Sequence, residues 1–278
     1  MAVQRANLSG GRLHLHHGPI DLVIGADGDR TRAFAAAEAR LGSVLSELMS
    51  EMALLRVCDG PRPKGEIARK MWQAANVHSG FVTPMAGVAG AVAETVLQAM
   101  CDAVDLNRAY VNNGGDIALH LQGSAEFSIA MAGVTGAGFG KITLNAASPV
   151  RGIATSGQGG RSLSMGIADS VTVLASTASA ADVAATLIAN AVDLPDHPMI
   201  ARAPARGIRD DSELGDLPVV TFVDHLNTDE VARALARGAK VAGQMQNAGL
   251  AHAASLHLRG QSRQIELHTE KVLEHARG

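Results

Sequence analysis

The chain has 278 residues, of which 47% are hydrophobic and 3% aromatic, and its formal net charge is -3. This composition supports a sizeable core and excludes the basic patch of a nucleic-acid-binding protein, so we expect no nucleic-acid partner. The two cysteines, Cys58 and Cys101, have neither CxxC nor zinc-site spacing, which is typical of a reduced, cytoplasmic protein.

The N-terminal residues bear on targeting and on metal binding. Residues 1–22 contain no apolar stretch resembling a signal peptide. No apolar run is long and continuous enough to span a bilayer, so we expect no membrane partner. His14, His16 and His17 could bind a metal, but alternating His and Leu also suits a half-exposed strand.

The first part of the chain predicts strands followed by helices. Residues 13–27 predict two short strands. Apolar residues three and four apart predict a helix from 29 to about 57 and a second helix over 66–77, with Trp72 in the core. Pro and Gly predict a loop over 58–65 between them.

A third helix is predicted from Met85 to Val104. Its Gly87 and Gly90 each cost about 1 kcal/mol relative to Ala in a helix. Small residues at such positions indicate the close approach of another helix, a sheet or a ligand, and this face could also form a subunit interface.

The middle of the chain predicts mainly short strands with alternating polarity. They lie at 108–111, 116–121, 127–134, 140–144, 151–156 and 170–176. A buried helix is predicted over 178–192, and a strand over 217–223 follows a polar stretch. Asn227 and Glu230 predict the capping box of a further helix, with Gly249 just past its end. Residues 252–268 predict a hairpin, with room for a terminal helix.

These elements predict an α+β protein, with mainly antiparallel sheets packed against long helices. We expect one unit over 1–278, in which two lobes could meet at a central pocket.

The first candidate site segment contains Asn113, Gly114, Gly115 and Asp116. Paired glycines let backbone amides approach a ligand, and Asp116 could accept its hydrogen bonds. The alternative is an ordinary hairpin turn, in which Asn and Asp side chains bond the local backbone.

The second candidate segment runs from Gly152 to Gly166 and is rich in Gly and Ser. Its successive amides could form a nest for an anion, to which Arg161 would add a charge suited to phosphate or carboxylate. The ligand-binding residues we assign here are Thr155, Ser156, Gly157, Arg161 and Ser162. A flexible surface loop is the alternative.

The third candidate segment is the helix over 178–192, where Asp182 and Thr186 are four apart and share one face. A carboxylate and a hydroxyl are suitable ligands for Mg²⁺. Alternatively, Asp182 is placed in the first turn by the helix dipole, and Thr186 bonds back to a carbonyl.

Taken in order, "NNGGDIAL", "ATSG" and "VTVLASTASAADVAATLIANA" resemble the FAD:protein FMN transferase superfamily, the ApbE-like proteins. There a Gly-Gly-Asp turn, a Ser-Gly loop and an Ala-Asp-x-x-Ala-Thr helix surround a flavin dinucleotide and its Mg²⁺. "VTPMAGVAGAVAE" is more similar to a bacterial and archaeal branch without an established general activity. The resemblance covers roughly residues 15–195.

The resemblance implies a T-fold-related ApbE-like fold and a site containing FAD or FMN with Mg. Asp182 and Thr186 would be metal ligands. Ala86 lies in the segment that supplies a backbone carbonyl to the metal in the transferases, and Met85 beside it would belong to the ligand-binding residues. Family analogy also implies a homodimer.

Two departures concern the transfer activity. The His-x-x-Asp-Pro segment that follows the Ser-Gly loop in the transferases is absent, and "MAGVAGAVAE" contains no lysine. A lipoprotein signal is also missing. These departures put FMN transfer onto another protein in doubt, whereas a pocket with a different ligand is compatible with them.

Three functions therefore stay open. The first is an enzyme acting on a small anionic or flavin-like molecule, with Asp182, Ser156 and His78 as catalytic candidates. For His78 a structural or surface role is equally open. The second is a Mg-dependent FAD:protein FMN transferase or FAD pyrophosphatase, and the third is a non-catalytic flavin or metabolite carrier.

Overall fold

The computed structural model describes residues 2–132, 138–160 and 162–267. Thirteen strands are described. They are β1 (Gln4–Leu8), β2 (Arg12–His17), β3 (Ile20–Gly28), β4 (Leu106–Asn113), β5 (Asp116–Leu121), β6 (Glu126–Ala132), β7 (Gly138–Asn145), β8 (Gly152–Ser156), β9 (Ser170–Ala175), β10 (Ile200–Pro204), β11 (Pro218–Val223), β12 (Ala253–Leu258) and β13 (Gln261–Ile265).

Seven α-helices lie among the described residues. They are α1 (Arg30–Ser50), α2 (Met52–Leu55), α3 (Glu66–Asn76), α4 (Val88–Ala103), α5 (Ala178–Ala191), α6 (Ala205–Ile208) and α7 (Thr228–Asn247). A 3₁₀ turn, Pro84–Gly87, directly precedes α4.

Nine strands form one antiparallel sheet in the order β1-β2-β3-β4-β5-β8-β9-β12-β13. The long helices α1, α4, α5 and α7 pack beside one another on this sheet. The two-stranded ribbon β6-β7 contributes Phe127 and Ile142 to an apolar cluster with β5, β8 and β9. This arrangement confirms the predicted α+β class with antiparallel strands and long helices.

Two main apolar cores lie side by side beneath the helices. One joins α1 and α4 to strands β2 to β5, and the other joins α5 and α7 to strands β8, β9 and β12. The contact between α4 and α5 therefore lies where the two cores meet. The candidate site is found at this junction.

The 3₁₀ turn and the first turn of α4 contain the two glycines that the sequence singled out, Gly87 and Gly90. A Cβ on Gly90 would lie 2.3 Å from the carbonyl oxygen of Ala178, and one on Gly87 would lie 3.0 Å from Val183. The sequence left open whether a helix, a sheet or a ligand approaches these glycines. The close neighbour is another helix, α5. Both positions face α5 within the chain.

The segment Pro84–Ala103 is, by length and composition alone, long and apolar enough to cross a membrane, with a mean hydropathy of 1.2. The expectation that no run reaches this length was therefore wrong. In the fold 56% of its most apolar 18-residue stretch is buried, and Ala91, Ala93 and Val96 are completely buried. The core helix of a soluble protein has the same length and composition.

Helix boundaries follow the predicted signals closely. The first predicted helix is interrupted at Glu51, which separates α1 from the short α2. Asn227 and Glu230 form the complete capping box of α7, as predicted, and Gly249 has a φ of 71° just past its end. Trp72 is only half-buried, and its Nε1 donates to the Gly60 carbonyl at 2.9 Å. Its predicted place in the core was wrong, because the indole ties the preceding loop to α3.

The N-terminal histidines belong to the strand β2, as the strand interpretation requires. His14 lies 3.0 Å from the Asp21 carboxylate, and His17 faces inward, 3.2 Å from the Leu41 carbonyl. Nowhere in the described residues do three or more His, Cys, Asp or Glu side chains cluster around a possible metal position. The structure therefore gives no support to a metal site formed by His14, His16 and His17.

Strand β1 and the pair β10 and α6 were not predicted. The residues of β1 are largely exposed at the sheet edge, and β10 with α6 occupies the start of the polar stretch before β11. Neither segment has an apolar face that repeats with strand or helix spacing. Residues 133–134 of one predicted strand, residue 268 of the last hairpin and the terminal helix lie outside the described residues.

Candidate functional site

A cavity of about 250 Å³ lies at the junction of the two cores. Five parts of the chain line it: the 3₁₀ turn with the start of α4, the β4-β5 turn, the end of β8 with its loop, α5, and the loop before β11. Of the predicted site residues, it is lined by Met85, Ala86, Asn113, Gly114, Asp116, Thr155, Ser156, Gly157, Ser162, Asp182 and Thr186. The fold thus brings the three candidate segments together.

The Gly-Gly turn is a two-residue hairpin loop that also forms a cavity wall. Asn113 pairs with Asp116 across it, and Gly114 and Gly115 have φ values of 66° and 117°, which side chains rarely adopt. The Asn112 side chain accepts the Gly115 amide at 2.8 Å. Gly114 lines the cavity, whereas Gly115 is not among the lining residues. The turn interpretation and the ligand-facing one therefore both agree with the geometry.

Asn113 connects this turn to α4. Its side-chain Nδ2 donates to the carbonyl of Ala89 at 3.1 Å, and the residue is buried. Asp116, on the other side of the turn, accepts the Thr155 amide at 3.3 Å. The side chains at either end of this turn thus hold the start of α4 and the end of β8 in place.

The Ser-Gly loop uses its amides differently from the prediction. Gln158 N–H donates to the Ala168 carbonyl at 2.8 Å, Gly159 N–H to Asp169 at 3.1 Å, and Gly160 N–H to Gly157 at 3.0 Å. Because these three amides are already bonded to the chain, the predicted anion nest is not formed by them. Arg161, the predicted anion-binding side chain, lies outside the described residues.

Asp182 and Thr186 lie on the cavity side of α5, as their spacing predicted. The Asp182 carboxylate accepts the backbone amide of Gly90 at 3.1 Å. The first turn of α4 has Gly87 as its N-cap residue, which offers no side-chain oxygen. Asp182 therefore supplies, from another helix, the acceptor that an N-terminal turn requires.

The pKa of the Asp182 carboxyl is raised well above its usual range. The largest cause is desolvation by the surrounding protein, and the second is the nearby charge of Asp116. The Gly90 and Ala89 amides oppose the shift but do not cancel it. Asp182 keeps some accessible surface because it borders the cavity. Two carboxyl groups thus repel each other in a poorly solvated space.

The charge of the cavity follows from its lining. Asp116, Asp182 and Glu213 are its acidic members, and no Lys, Arg or His is found among the described lining residues. Asn113, Asn190, Thr155 and Thr186 add neutral oxygen-bearing groups. The chemistry of this set is that of hard oxygen donors, which suits a divalent cation such as Mg²⁺.

His78 lies elsewhere and does not line this cavity. It borders a separate groove with Lys70 and Glu94, and a small pocket beside Trp72. Desolvation lowers the pKa of its imidazole. Its predicted catalytic role in the site is therefore corrected, because the loop after α3 turns it away from the other candidates.

Twelve lining residues were not among the predicted site residues, and Phe81, Glu213 and Leu214 are three of them. Phe81 lies in the loop that leads into the 3₁₀ turn. Its place in the sequence "FVTP" was the available signal that it lies near the site. Glu213 and Leu214 lie in the loop between α6 and β11, within a stretch noted only as polar. No local pattern there indicates that the loop reaches the cavity, since its position depends on how β10 and β11 pair.

A comparison with protein families finds a match to the family described as AbpE bacteria over residues 4–264. A UPF0280 protein of Methanothermobacter thermautotrophicus is 36% identical over 157 residues, which cover 54% of this chain and 56% of that protein. A UPF0280 protein of Methanococcus vannielii is 42% identical over 125 residues, 42% of this chain and 48% of that protein. The chain thus spans about half the length of the curated relatives it matches.

Among solved structures, a crystal structure of the ApbE protein of Thermotoga maritima matches with a TM-score of 0.49 and 12% identity. The match covers 95% of this chain and 96% of that one.

Proposed function

Because the chain belongs to the family described as AbpE bacteria, we propose that its cavity binds a small phosphate-bearing or flavin-like anion through a divalent cation and acts on it as an enzyme. The ApbE-like membership predicted from the sequence is confirmed at the level of the family. The name of the relatives, UPF0280 protein, specifies no substrate, so the proposal rests on the chemistry of the cavity.

The acidic lining is the observation that carries the proposal. Asp116, Asp182 and Glu213 border the cavity without a basic side chain among its described lining residues. An anion would be repelled by such a surface, whereas a divalent cation would be attracted to it. A cation held by the carboxylates would then present positive charge to an anionic ligand.

Asp182 and Thr186 are the residues we assign to the cation, with Asp116 close enough to affect the pKa of Asp182. Their oxygens are ligands of the type that Mg²⁺ prefers. A bound Mg²⁺ would supply neutralisation of phosphate charge. Asn113 and Thr155 would hold the turn and the end of β8 against the ligand, through the bonds they make to Ala89 and Asp116.

The size of the cavity limits the ligand. Pockets that enclose a small molecule generally measure about 300–1,000 Å³, and this one has about 250 Å³. It fits a phosphate with a cation, or one part of a larger molecule that extends into solvent. A complete flavin dinucleotide would have to lie partly outside it.

The groups available for chemistry are hydroxyls and carboxyls. Ser156 and Ser162 line the cavity and could position a phosphate. With His78 elsewhere, proton transfer falls to Asp116 or Glu213 among the described residues. The absent His-x-x-Asp-Pro segment still argues against FMN transfer onto a protein, which stays the second candidate on family membership alone.

Calorimetry with inorganic pyrophosphate and FMN, with and without Mg²⁺, tests the proposal. We expect measurable binding only when Mg²⁺ is present, and a loss of Mg²⁺ affinity of more than about tenfold in Asp182→Asn. The exposed Asp102→Asn serves as a matched control and should bind like the wild type. Equal Mg²⁺ affinity in Asp182→Asn and the wild type would reject the assignment.

Incubation with FAD and Mg²⁺ separates the catalytic alternatives. Release of AMP would support FAD pyrophosphate cleavage or FMN transfer. Covalent flavin on an added protein would then indicate FMN transfer. Flavin binding without any turnover would favour a carrier.

A further inference from the structure

Ser176 and His252 form a hydrogen-bonded pair away from the acidic cavity. The Ser176 Oγ and the His252 Nε2 are 2.8 Å apart, and neither residue lines that cavity. Desolvation lowers the pKa of the His252 imidazole, so the ring is mainly neutral at neutral pH. With its proton on Nδ1, the neutral ring accepts the Ser176 hydroxyl through Nε2. A hydroxyl bonded to a neutral imidazole is the arrangement of an activated nucleophile and its base.

The fold places both residues at the same edge of the large sheet. Ser176 directly follows β9 and precedes Thr177, the N-cap residue of α5. His252 directly precedes β12, the strand that pairs with β9, and its amide donates to the Leu174 carbonyl at 2.7 Å. The His252 carbonyl accepts the side chain of Gln246 at 2.8 Å. A serine between the end of a strand and the start of a helix presents its hydroxyl outward, as the nucleophile of α/β-hydrolases does.

Two surface grooves meet at Ser176, which is exposed. One groove, which includes Leu250, has about 330 Å³, and the other, which includes Leu119, has about 410 Å³. Among the residues that the structure describes, none that lines the acidic cavity borders either groove. The two grooves therefore form a separate candidate site. Their apolar lining side chains are Ala74, Val77, Leu97, Ala118, Leu119 and Leu250.

Lys70 is the positively charged side chain that both grooves share. Its Nζ lies 3.6 Å from Glu66 and 4.0 Å from Glu94, and its side chain is 25% exposed. Glu94 in turn accepts the Ser179 amide in the first turn of α5 at 2.6 Å. The Lys70 charge and the positive end of the α5 dipole are the groups that can stabilise negative charge developing beside Ser176.

We propose that Ser176 and His252 are the nucleophile and the base of a second catalytic site, which hydrolyses carboxylic esters with a small apolar acyl group. The Ser176 Oγ attacks the ester carbonyl carbon while His252 Nε2 takes the hydroxyl proton. His252 then gives this proton to the departing alcohol, and an acyl-serine remains. In the second step His252 takes a proton from water, whose oxygen attacks the acyl carbon. The carboxylic acid leaves, and His252 returns the proton to Ser176.

The competing explanation is that the pair only ties the ends of β9 and β12 together. Another serine and histidine of β12 provide a comparison, since the Ser255 Oγ and the His257 Nε2 are also 2.8 Å apart. Both of these residues are buried. Ser176 differs because it is exposed and borders two grooves, which favours a reactive role. Ser255 therefore serves as an internal control for serine reactivity.

The test uses a fluorophosphonate probe, which phosphonylates activated serines. Mass spectrometry of the labelled wild type should find the probe on Ser176 and not on Ser255. Ser176→Ala and His252→Gln should each slow the hydrolysis of p-nitrophenyl butyrate about a hundredfold. His78→Gln changes a histidine that borders the Leu250 groove, and it should stay within about twofold of the wild type.

Several results would overturn the inference. One is wild-type protein without the probe on Ser176, a result that needs no variant to fold. Another is equal labelling of the wild type and His252→Gln, or an equal loss of ester hydrolysis in His78→Gln and His252→Gln. A purely structural pair predicts that Ser176→Ala loses stability in urea titrations while ester hydrolysis stays at the wild-type rate. Failure of the inference leaves the proposed function standing, because the two sites share no described lining residue.

Discussion

The carboxylate of Asp182 accepts the backbone amide of Gly90 at 3.1 Å, across 92 positions of sequence. This bond joins α5 to the first turn of α4 at the point where the two cores meet. Asp182 therefore has a structural role, as the acceptor for a helix start that lacks its own side-chain cap. The same carboxyl group faces the cavity, so its charge and its hydrogen bond are separate properties to be tested.

Replacing Asp182 by Asn separates these two properties. The amide oxygen can still accept the Gly90 amide, but the charge is lost. The raised pKa of Asp182 means that the native state retains its proton at pH values where the unfolded state has lost it. The stability contribution of this group is then fully present below the unfolded pKa and decreases as the pH rises towards the folded pKa.

In Mg²⁺-free buffer we therefore expect the wild-type free energy of unfolding to fall with rising pH above about 4, by at most about 1.4 kcal/mol per pH unit for this proton. Asp182→Asn should show a weaker dependence and should be more stable than the wild type at the upper end of the range. Urea titrations over a series of pH values measure this. Parallel pH profiles for the two proteins would contradict the assignment of the shift to Asp182.

Gly90→Ala tests how closely α4 and α5 pack. The added Cβ would lie 2.3 Å from the backbone carbonyl of Ala178, a contact that only a backbone shift can relieve. We expect a loss of at least about 2–3 kcal/mol in the free energy of unfolding. Gly42 in α1 has nothing within 4 Å of its Cβ position, so Gly42→Ala should gain about 0.5–1 kcal/mol. Chemical denaturation compares the two variants, and equal effects would contradict the tight contact.

The sequence pattern predicted the elements that carry an apolar face. The spacing of apolar residues located α1, α3, α4, α5 and α7, and the Asn227 and Glu230 pair located the start of α7. Strand β1 has no such face, because its residues Gln4–Leu8 are largely exposed at the sheet edge. Its position follows from pairing with β2, which is a tertiary effect.

The candidate site was predictable where its residues form recognisable local groups. Asp116, Ser156 and Asp182 stand in Gly-, Ser- or Ala-rich segments, and all three reach the same cavity. Glu213 stands in no such group, since the pairing of β10 with β11 brings its loop to the cavity. The prediction for His78 was wrong because closeness in sequence does not fix direction. His78 lies near Phe81 in sequence, but it faces another groove.

Glu213→Gln tests whether the loop before β11 contributes to the proposed cation site. Removing one negative charge from the lining should lower Mg²⁺ affinity about fivefold, as expected for charges that interact by about 1 kcal/mol. The free energy of unfolding should change by less than about 0.5 kcal/mol. Asp210→Asn, an exposed change in the same loop, is the control. Calorimetry that finds the same Mg²⁺ affinity in both variants would exclude Glu213 from the site.

Cys101, in the last turn of α4, offers a test of side-chain burial that does not involve the acidic cavity. Desolvation, with a smaller effect of the Asp102 charge, raises the pKa of its thiol to about 11. At about pH 8 the reactive thiolate is then on the order of one molecule in a thousand. We expect iodoacetamide to modify Cys101 about a hundredfold more slowly in the native protein than in urea. Mass spectrometry follows the reaction, and rapid native labelling would contradict the raised pKa.

The two asparagines of the Gly-Gly turn distinguish its role as a turn from its role in the site. Asn112 accepts the Gly115 amide within the turn, whereas Asn113 donates to the Ala89 carbonyl in the first turn of α4. Asn112→Ala should cost about 1 kcal/mol of stability and leave Mg²⁺-dependent pyrophosphate binding unchanged. Asn113→Ala should cost about 1–2 kcal/mol and also weaken that binding, because the turn and α4 would lose their direct connection beside Asp182. Calorimetry and denaturation on the same samples give both quantities. If the two variants affect binding equally, the turn acts on the cavity only through its own folding.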